Sequence, residues 1–271
     1  MPLPSIAAIL NKARRLLAQV DRPKRRMLFI CGAPRSGTTG LWRLLVADPR
    51  IVLGMERHGA RLRKTEFRAD LYEKKHFFDF VTHPNAARLA VPYYENEAAE
   101  RFDSAIYIGD KMPLLYKVYD RVRTIFPEAK IVVLLRNIFD ICESYQARLE
   151  DHADNWKFGV TDAVGHWNSL LAFLSKHGSD PRVKVLVYEE FLSDIAVYRD
   201  LYRFLDLPMD SGFPSRYETM LEETERLRRR RVPRTTEAQK LLVLRSADLA
   251  LYAGLLRRFS ITQRTAPAVS P

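Results

Sequence analysis

The residues best suited to chemistry lie at positions 32–39, which read Gly-Ala-Pro-Arg-Ser-Gly-Thr-Thr. This segment comes directly after an apolar run and directly before a helical pattern. Glycines let the backbone turn sharply, and successive N–H groups at the start of a helix converge on an anion. The segment therefore predicts a phosphate-binding loop. A strand-to-helix turn that binds no ligand is the simpler alternative.

Position 38 distinguishes this loop from that of nucleoside triphosphatases. Those loops carry a lysine that reaches the terminal phosphates, followed by a hydroxyl residue that holds magnesium. Thr38 stands at the lysine position, whereas Arg35 offers a planar guanidinium group that fits one oxyanion. The loop therefore favours a nucleotide with a short 5′ anion over a triphosphate.

A second group of residues follows the β-branched run at positions 130–135. Arg136 comes at the end of this run, and Ser144 comes eight residues later within a helical pattern. Ligands of open α/β sheets bind at the carboxyl ends of the strands, so both side chains can converge on an anion beside the first loop. Arg136 alone would be read as an ordinary surface or ion-paired arginine.

Together, the two motifs resemble those of sulfotransferases that use 3′-phosphoadenosine 5′-phosphosulfate (PAPS). Positions 34–39 resemble the 5′-phosphosulfate loop, and Arg136 with Ser144 resembles the 3′-phosphate motif. Weaker similarities lie at positions 109–113, Gly-Asp-Lys-Met-Pro, and at 187–192, Val-Tyr-Glu-Glu-Phe-Leu. The resemblance covers about residues 27–210 and is closest to the tyrosylprotein and bacterial carbohydrate branches.

The resemblance implies PAPS as the sulfuryl donor, in-line displacement without a metal, and a set of residues that hold the nucleotide. These residues are Arg35, Ser36, Gly37, Thr38, Thr39, Arg136, Ser144 and Tyr188. Family members often add contacts to the 3′-phosphate from a late basic loop, which here implies Arg229 and Arg230 in the arginine-rich run 226–234. A solvated helix face or a docking site for an anionic acceptor is the alternative for that run.

Three residues are candidates for the transfer step itself. An acceptor hydroxyl needs a base as the new bond forms, and Glu56, which follows the second predicted strand, resembles the catalytic glutamate of those two branches. His58 is the alternative base because its ordinary pKa suits the task. Lys111 is a second cation, after Arg35, for the sulfonyl oxygens. The simpler alternatives are a surface ion pair of Glu56 with Arg57 or Arg61, and for Lys111 an ion pair with Asp110 or an ordinary surface position.

The pattern of apolar runs predicts an α/β fold with a single domain of three layers. Strands at 27–33, 51–55, 105–108, 130–135 and 183–188 alternate with helical patterns, which is typical of an open, mostly parallel sheet with P-loop-like nucleotide-binding topology. Helices are expected at 38–47, 140–150, 162–177 and 193–206, the last with Ser193 as its N-cap, and a long helical pattern runs through 240–259.

Domain boundaries follow from the same pattern. Residues 27–260 form the expected sulfotransferase domain, within which 57–104 are irregular, rich in charge and aromatic residues, and suited to holding an acceptor. Residues 1–26 predict a basic amphipathic helix, which either packs on the domain or contacts a membrane surface or a partner. Residues 261–271 are expected to be a frayed tail.

Composition limits the classes of function. The chain has 271 residues, 47% of them hydrophobic, which excludes disorder and a disulfide-stapled mini-fold. Its 44 Lys and Arg against 33 Asp and Glu give a net charge of +11 and favour phosphorylated or sulfated partners. Two isolated cysteines, Cys31 and Cys142, indicate reduced thiols in a cytoplasmic protein.

The sequence therefore favours a sulfotransferase that acts on a hydroxyl of a carbohydrate, another small alcohol or a glycolipid, and a phenol or tyrosine acceptor stays open. The alternatives are a P-loop-type kinase or phosphotransferase, and a module that binds nucleic acid or an anionic surface. The missing lysine disfavours the kinase, and aromatic platforms between basic residues are absent, so no nucleic-acid partner is expected. The sequence does not indicate an oligomeric state.

Overall fold

In a computed structural model, residues 25–62, 64, 66–79, 92–229 and 232–261 are described. They contain one sheet of five parallel strands in the order β2-β3-β1-β4-β5. The strands are Arg26–Gly32 (β1), Ile51–Met55 (β2), Tyr107–Lys111 (β3), Lys130–Leu135 (β4) and Val183–Val187 (β5). The α/β fold with a parallel, P-loop-like sheet is therefore confirmed.

Both faces of the sheet are covered. In β1, the consecutive residues Leu28, Phe29, Ile30 and Cys31 are all fully buried. Successive side chains of a strand point to opposite faces, so complete burial requires helices on either side. This produces the three layers that the continuous apolar runs predict.

The helices of the described residues are numbered in chain order. They are Thr38–Val46 (α1), Lys74–Phe77 (α2), Pro92–Arg101 (α3), Tyr119–Ile125 (α4), Ile138–Leu149 (α5), Val160–His177 (α6), Tyr188–Phe191 (α7), Ala196–Phe204 (α8), Phe213–Arg229 (α9), Glu237–Ser246 (α10) and Leu249–Phe259 (α11). Short 3-10 segments lie at Gly59–Arg61, Ala69–Tyr72 and Pro113–Val118.

Two local predictions were wrong. The strand expected at 105–108 runs instead over β3, because Gly109, Asp110 and Lys111 are buried in the sheet despite their polarity. Ser193 does not cap a helix, since α8 begins three residues later and the Ser193 hydroxyl donates to the carbonyl of Glu189 at 3.1 Å.

The long C-terminal helical pattern divides into α10 and α11. Ala247 is extended, and the Asp248 carboxylate accepts the Leu251 N–H at 2.9 Å, which starts the second helix. Helix α9, where a loop and an arginine run were expected, was not predicted as a helix.

Several sequence predictions fall on other parts of the chain. The amphipathic helix at 1–26 lies outside the described residues up to position 24, as do residues 80–91 of the expected acceptor segment and the tail from 262 onward. Within the residues described, no helix is both long enough and apolar enough to cross a membrane.

Candidate active site

The loop at positions 32–39 connects β1 to α1 at the carboxyl edge of the sheet. Gly37 has a φ of 97°, and a Cβ atom there would come within 2.2 Å of the Tyr188 ring. Only glycine combines this left-handed backbone with so close an approach. Arg35 adopts a φ of 69° although it is not glycine. Tyr188 and Gly37 thus fix the path of the loop into the helix.

The structure brings the two arginine motifs together. The Nε atom of Arg35 donates to the hydroxyl of Ser144 at 2.8 Å. The guanidinium group of Arg136 donates to the backbone carbonyl of Arg35 at 3.1 Å. These contacts follow from the sheet, in which β1 and β4 are neighbours and their carboxyl ends share one edge.

Arg136 is held from several sides. It lies directly after β4, its guanidinium group stacks on the Tyr188 ring at 4.1 Å, and it forms an ion pair with Asp140 at 3.2 Å. The indole N–H of Trp167 donates to its backbone carbonyl at 2.8 Å. Arg136 is therefore a fixed cation and not a mobile surface side chain.

Glu56 and Lys111 form an ion pair at the same edge of the sheet. Glu56 follows β2 and Lys111 ends the adjacent strand β3. The Lys111 ammonium donates to Glu56 Oε1 at 2.6 Å. Lys111 is only 2% exposed, whereas the Glu56 carboxylate reaches the solvent. Of the alternative partners expected, Arg57 forms an ion pair with Glu95 at 2.7 Å, and Asp110 accepts the backbone N–H groups of Arg57 and His58. Glu56 has a φ of 57°, a strained conformation for a residue with a side chain.

His58 is placed differently from Glu56. Its Nε2 atom lies 3.0 Å from the carbonyl oxygen of Leu71, and its ring packs edge-on against Tyr72. Burial, together with the charge of Arg57, lowers the pKa of His58 to about 4. His58 is not one of the described residues that line the cavity below, so the structure does not bring it to the site.

Asp110 has a structural position in the turn after β2. Its carboxylate accepts the backbone N–H groups of Arg57 at 3.3 Å and of His58 at 3.0 Å. Burial raises its pKa to about 7. Asp110 therefore fixes the segment that carries Glu56.

A cavity of about 530 Å³ opens at this edge of the sheet. Its charged or hydroxyl-bearing walls are Arg35, Thr38, Thr39, Glu56, Lys111, Arg136, Ser144 and Arg148, joined by His166. Its apolar walls are Leu62, Met112, Pro113, Leu114, Trp156 and Phe158. The cavity thus contains both arginine motifs and the Glu56–Lys111 pair.

Five of these lining residues were not assigned to the site from the sequence: Leu114, Arg148, Trp156, Phe158 and His166. Arg148 lies four positions after Ser144 and therefore on the same face of α5, a spacing that could have revealed it. Trp156 and Phe158 belong to an irregular loop, and no periodic signal marks them. Arg148 stacks on the Trp156 ring at 4.4 Å and pairs with Asp154 at 2.5 Å.

The cavity is electrostatically prepared for an anion. Burial lowers the pKa of the Arg35 guanidinium group, and the nearby cations Arg148 and Arg136 lower it further. Mutual repulsion of these three groups is relieved when an anion enters. Within the described ranges, no group of three or more His, Cys, Asp or Glu residues is arranged to hold a metal ion.

Other predicted residues lie away from the cavity wall. Ser36 is fully buried beside Gly32, and its hydroxyl has no hydrogen-bond partner among the described residues. Tyr188 supports Arg136 from outside the lining. Arg229 forms an exposed ion pair with Glu225 at 3.1 Å and does not line the cavity. Arg230 lies outside the described residues.

The segment after α9 nevertheless contacts α5. The backbone N–H of Arg234 donates to Glu143 at 2.5 Å, and the Thr235 hydroxyl also bonds this carboxylate. Glu143 is the neighbour of Ser144 on α5. The arginine run therefore ends beside the helix that carries Ser144 and Arg148.

Among solved structures, the chain is similar to sulfotransferase STF9 from Mycobacterium avium, with 17% identity, a TM-score of 0.48, and coverage of 93% of this chain and 81% of that chain. It is also similar to a sulfotransferase domain from the curacin biosynthetic pathway, with 16% identity, a TM-score of 0.48, and coverage of 72% of this chain and 78% of that chain. The chain is similar as well to mouse sulfotransferase SULT7A1 complexed with PAP, with 16% identity, a TM-score of 0.41, and coverage of 78% of this chain and 70% of that chain. No curated protein matches the chain.

A family model described as "Sulfotransferase family" matches residues 28–211. The match covers more than half of the chain and spans the loop after β1, the Glu56–Lys111 pair and the Arg136 motif. It therefore includes every wall of the cavity described above. The chain belongs to the sulfotransferase family.

Proposed function

We propose that the protein transfers a sulfuryl group from PAPS to a hydroxyl group of a small-molecule acceptor. The observation that carries this proposal is the convergence of Arg35, Ser144 and Arg136 in one cavity with the Glu56–Lys111 pair. The kinase alternative requires a lysine in the loop, where Thr38 lies.

The residues of the cavity fit a nucleotide with two separate anionic groups. The loop follows β1 and Arg136 follows β4, and neighbouring strands lie about 4.8 Å apart. Arg35 with the start of α1 would hold the 5′ group, and Arg136 with Ser144 would hold the 3′-phosphate. Arg148 adds a third cation, so the site carries enough charge for both anions.

The order of strands supports one direction of transfer. Glu56 follows β2 and Lys111 ends β3, on one side of the loop, whereas Arg136 follows β4 on the other side. In-line displacement requires the attacking oxygen opposite the leaving group. The acceptor hydroxyl therefore belongs at Glu56, and the nucleotide extends from the loop towards Arg136.

PAPS, when bound, supplies an electrophilic sulfuryl group. The chain supplies a base and cations. The Glu56 carboxylate would take the proton of the acceptor hydroxyl as the new oxygen–sulfur bond forms and the bond between sulfur and the 5′-phosphate oxygen breaks, which releases adenosine 3′,5′-bisphosphate. Lys111 has three N–H donors, of which one orients Glu56, so the others can stabilise charge on the sulfonyl oxygens. Arg35 acts on the same charge from the loop.

Equilibrium binding tests the proposal against the kinase alternative. The protein should bind adenosine 3′,5′-bisphosphate (PAP) in calorimetry with the same affinity in magnesium and in EDTA. Radiolabelled sulfate from PAPS should then move to components of a fractionated cell extract. Magnesium-dependent binding of ATP without binding of PAP would contradict the proposal.

A further inference from the structure

Beside the Glu56–Lys111 pair, the cavity is lined by apolar residues. Leu62 follows Glu56 in the chain, and Met112, Pro113 and Leu114 follow Lys111, so the segments that carry the ion pair also bring these four residues to the cavity lining. Leu62 and Met112 are buried and pack into the core, which makes this wall rigid.

Two aromatic residues add to the apolar lining of the same cavity. Trp156 and Phe158 lie in the loop between α5 and α6 and pack edge to face at 5.1 Å. The indole N–H of Trp156 donates to the Phe158 carbonyl at 2.8 Å, so its polar edge is already used. The Phe158 ring is 44% exposed in the cavity mouth and has an uncovered apolar face.

The described residues that line the cavity include no Asn, Gln, Asp or Tyr. His166 is polar, but its Nδ1 atom lies 2.9 Å from the Tyr145 hydroxyl. A carbohydrate placed against Leu62, Met112, Pro113 and Leu114 would bury hydroxyl groups on apolar side chains, and each hydroxyl group without a partner is costly.

We infer that the acceptor is a hydroxyl group on a predominantly apolar body, a phenol or a hydrophobic alcohol, and not a polyhydroxylated sugar. This inference rests on the proposed function and narrows its acceptor. The sequence favoured a carbohydrate or another alcohol and left a phenol open, because the aromatic and basic residues of 57–104 are compatible with either. The side chains that line the cavity favour the apolar acceptor.

The test uses the full chain with saturating PAP and two probes of similar size, 2-naphthol and methyl β-glucoside. Calorimetry with PAP alone comes first, because absence of PAP binding would overturn the proposed function and this inference with it. With PAP bound, 2-naphthol should bind and methyl β-glucoside should not. Binding of the glucoside as tightly as the naphthol would overturn the inference and leave the sulfotransferase proposal standing.

A matched pair of variants locates the binding. Phe158→Ala removes the uncovered ring and should weaken 2-naphthol binding by about fivefold to tenfold, as expected for the loss of a partly buried aromatic contact. Phe139→Ala removes a ring of similar exposure, 39%, that does not line the cavity, and should leave naphthol binding unchanged. Both variants should bind PAP normally. Equal effects of the two variants on naphthol binding would overturn the inference.

Discussion

Arg35 and Ser144 are 109 positions apart in the sequence and are joined by a hydrogen bond of 2.8 Å. The bond connects the loop after β1 to the helix after β4 and so closes one side of the cavity. Because Arg136 also bonds the Arg35 backbone, the two predicted anion sites form a single unit. An anion bound to one site therefore contacts groups that position the other.

The first prediction concerns this unit. Arg35→Ala and Arg136→Ala should each weaken PAP binding by about 2 kcal/mol or more, roughly thirtyfold, because each removes a charge-assisted contact. Calorimetry measures the change. Arg203→Ala, which removes an exposed arginine paired with Asp200, is the control and should bind PAP normally. Normal binding in both cavity variants would disprove the site.

The second prediction assigns the base. Glu56→Gln should keep PAP binding while turnover falls roughly 10²-fold to 10⁴-fold, the usual contribution of a general base. His58→Gln should retain most of the turnover, because His58 faces Leu71 and not the cavity. Steady-state rates with radiolabelled PAPS measure both. Unchanged turnover in the Glu56 variant, together with loss of turnover in a His58 variant that still binds PAP, would reverse the assignment of the base.

The third prediction compares two glycines at the start of α1. Gly37→Ala should lower the free energy of unfolding by about 2 kcal/mol or more, because the residue has a positive φ and its Cβ would overlap the Tyr188 ring. Gly40→Ala meets nothing within 4 Å and lies within the helix, so it should raise stability by about 0.5–1 kcal/mol. Urea unfolding distinguishes them, and equal effects would contradict this account of the loop.

The fourth prediction concerns acid stability. The buried His58 stays neutral down to a pH of about 4, its pKa in the folded protein, whereas in the unfolded chain its pKa is near 6.5. The unfolded state therefore binds an extra proton as the pH falls through this window, and stability falls with it. The fall between pH 7 and pH 5 from this group is on the order of 2 kcal/mol.

Urea unfolding at the two pH values measures this contribution. His58→Gln should show a smaller loss of stability on acidification than the unsubstituted protein. His152→Gln replaces an exposed histidine and should leave the pH dependence unchanged. The rise in the pKa of Asp110 acts in the opposite direction, since its stabilising effect is lost as the pH rises towards 7. An unchanged pH dependence in the His58 variant would contradict the assignment.

The sheet and the meeting of Arg35, Arg136 and Ser144 at its edge were predictable from the sequence because their signals are local. Buried parallel strands appear as continuous apolar runs, and the strand ends then determine where Arg35, Arg136 and Ser144 meet. Lys111 and Glu56 were placed by the same rule, although β3 was expected to end before Lys111.

Residues in irregular segments could not be placed in this way. His58 is buried because the 3-10 segment at Ala69–Tyr72 brings the Leu71 carbonyl to its ring. No periodic pattern in the sequence predicts that contact. Trp156 and Phe158 reach the cavity only through the path of a loop. The aromatic lining of the cavity, on which the inferred acceptor depends, therefore could not be predicted from the sequence.

The left-handed backbone at Arg35 and Glu56 has a consequence for engineering. Glycine adopts this conformation freely, so it would relieve backbone strain at either position. At Glu56 this gain is offset, because the buried Lys111 ammonium would lose its ion-pair partner. A screen that scores variants only by unfolding temperature would therefore favour replacement of Arg35, and the variants that it selects would have lost the arginine proposed to hold the 5′ anion. Any such screen on this scaffold needs a simultaneous selection for turnover.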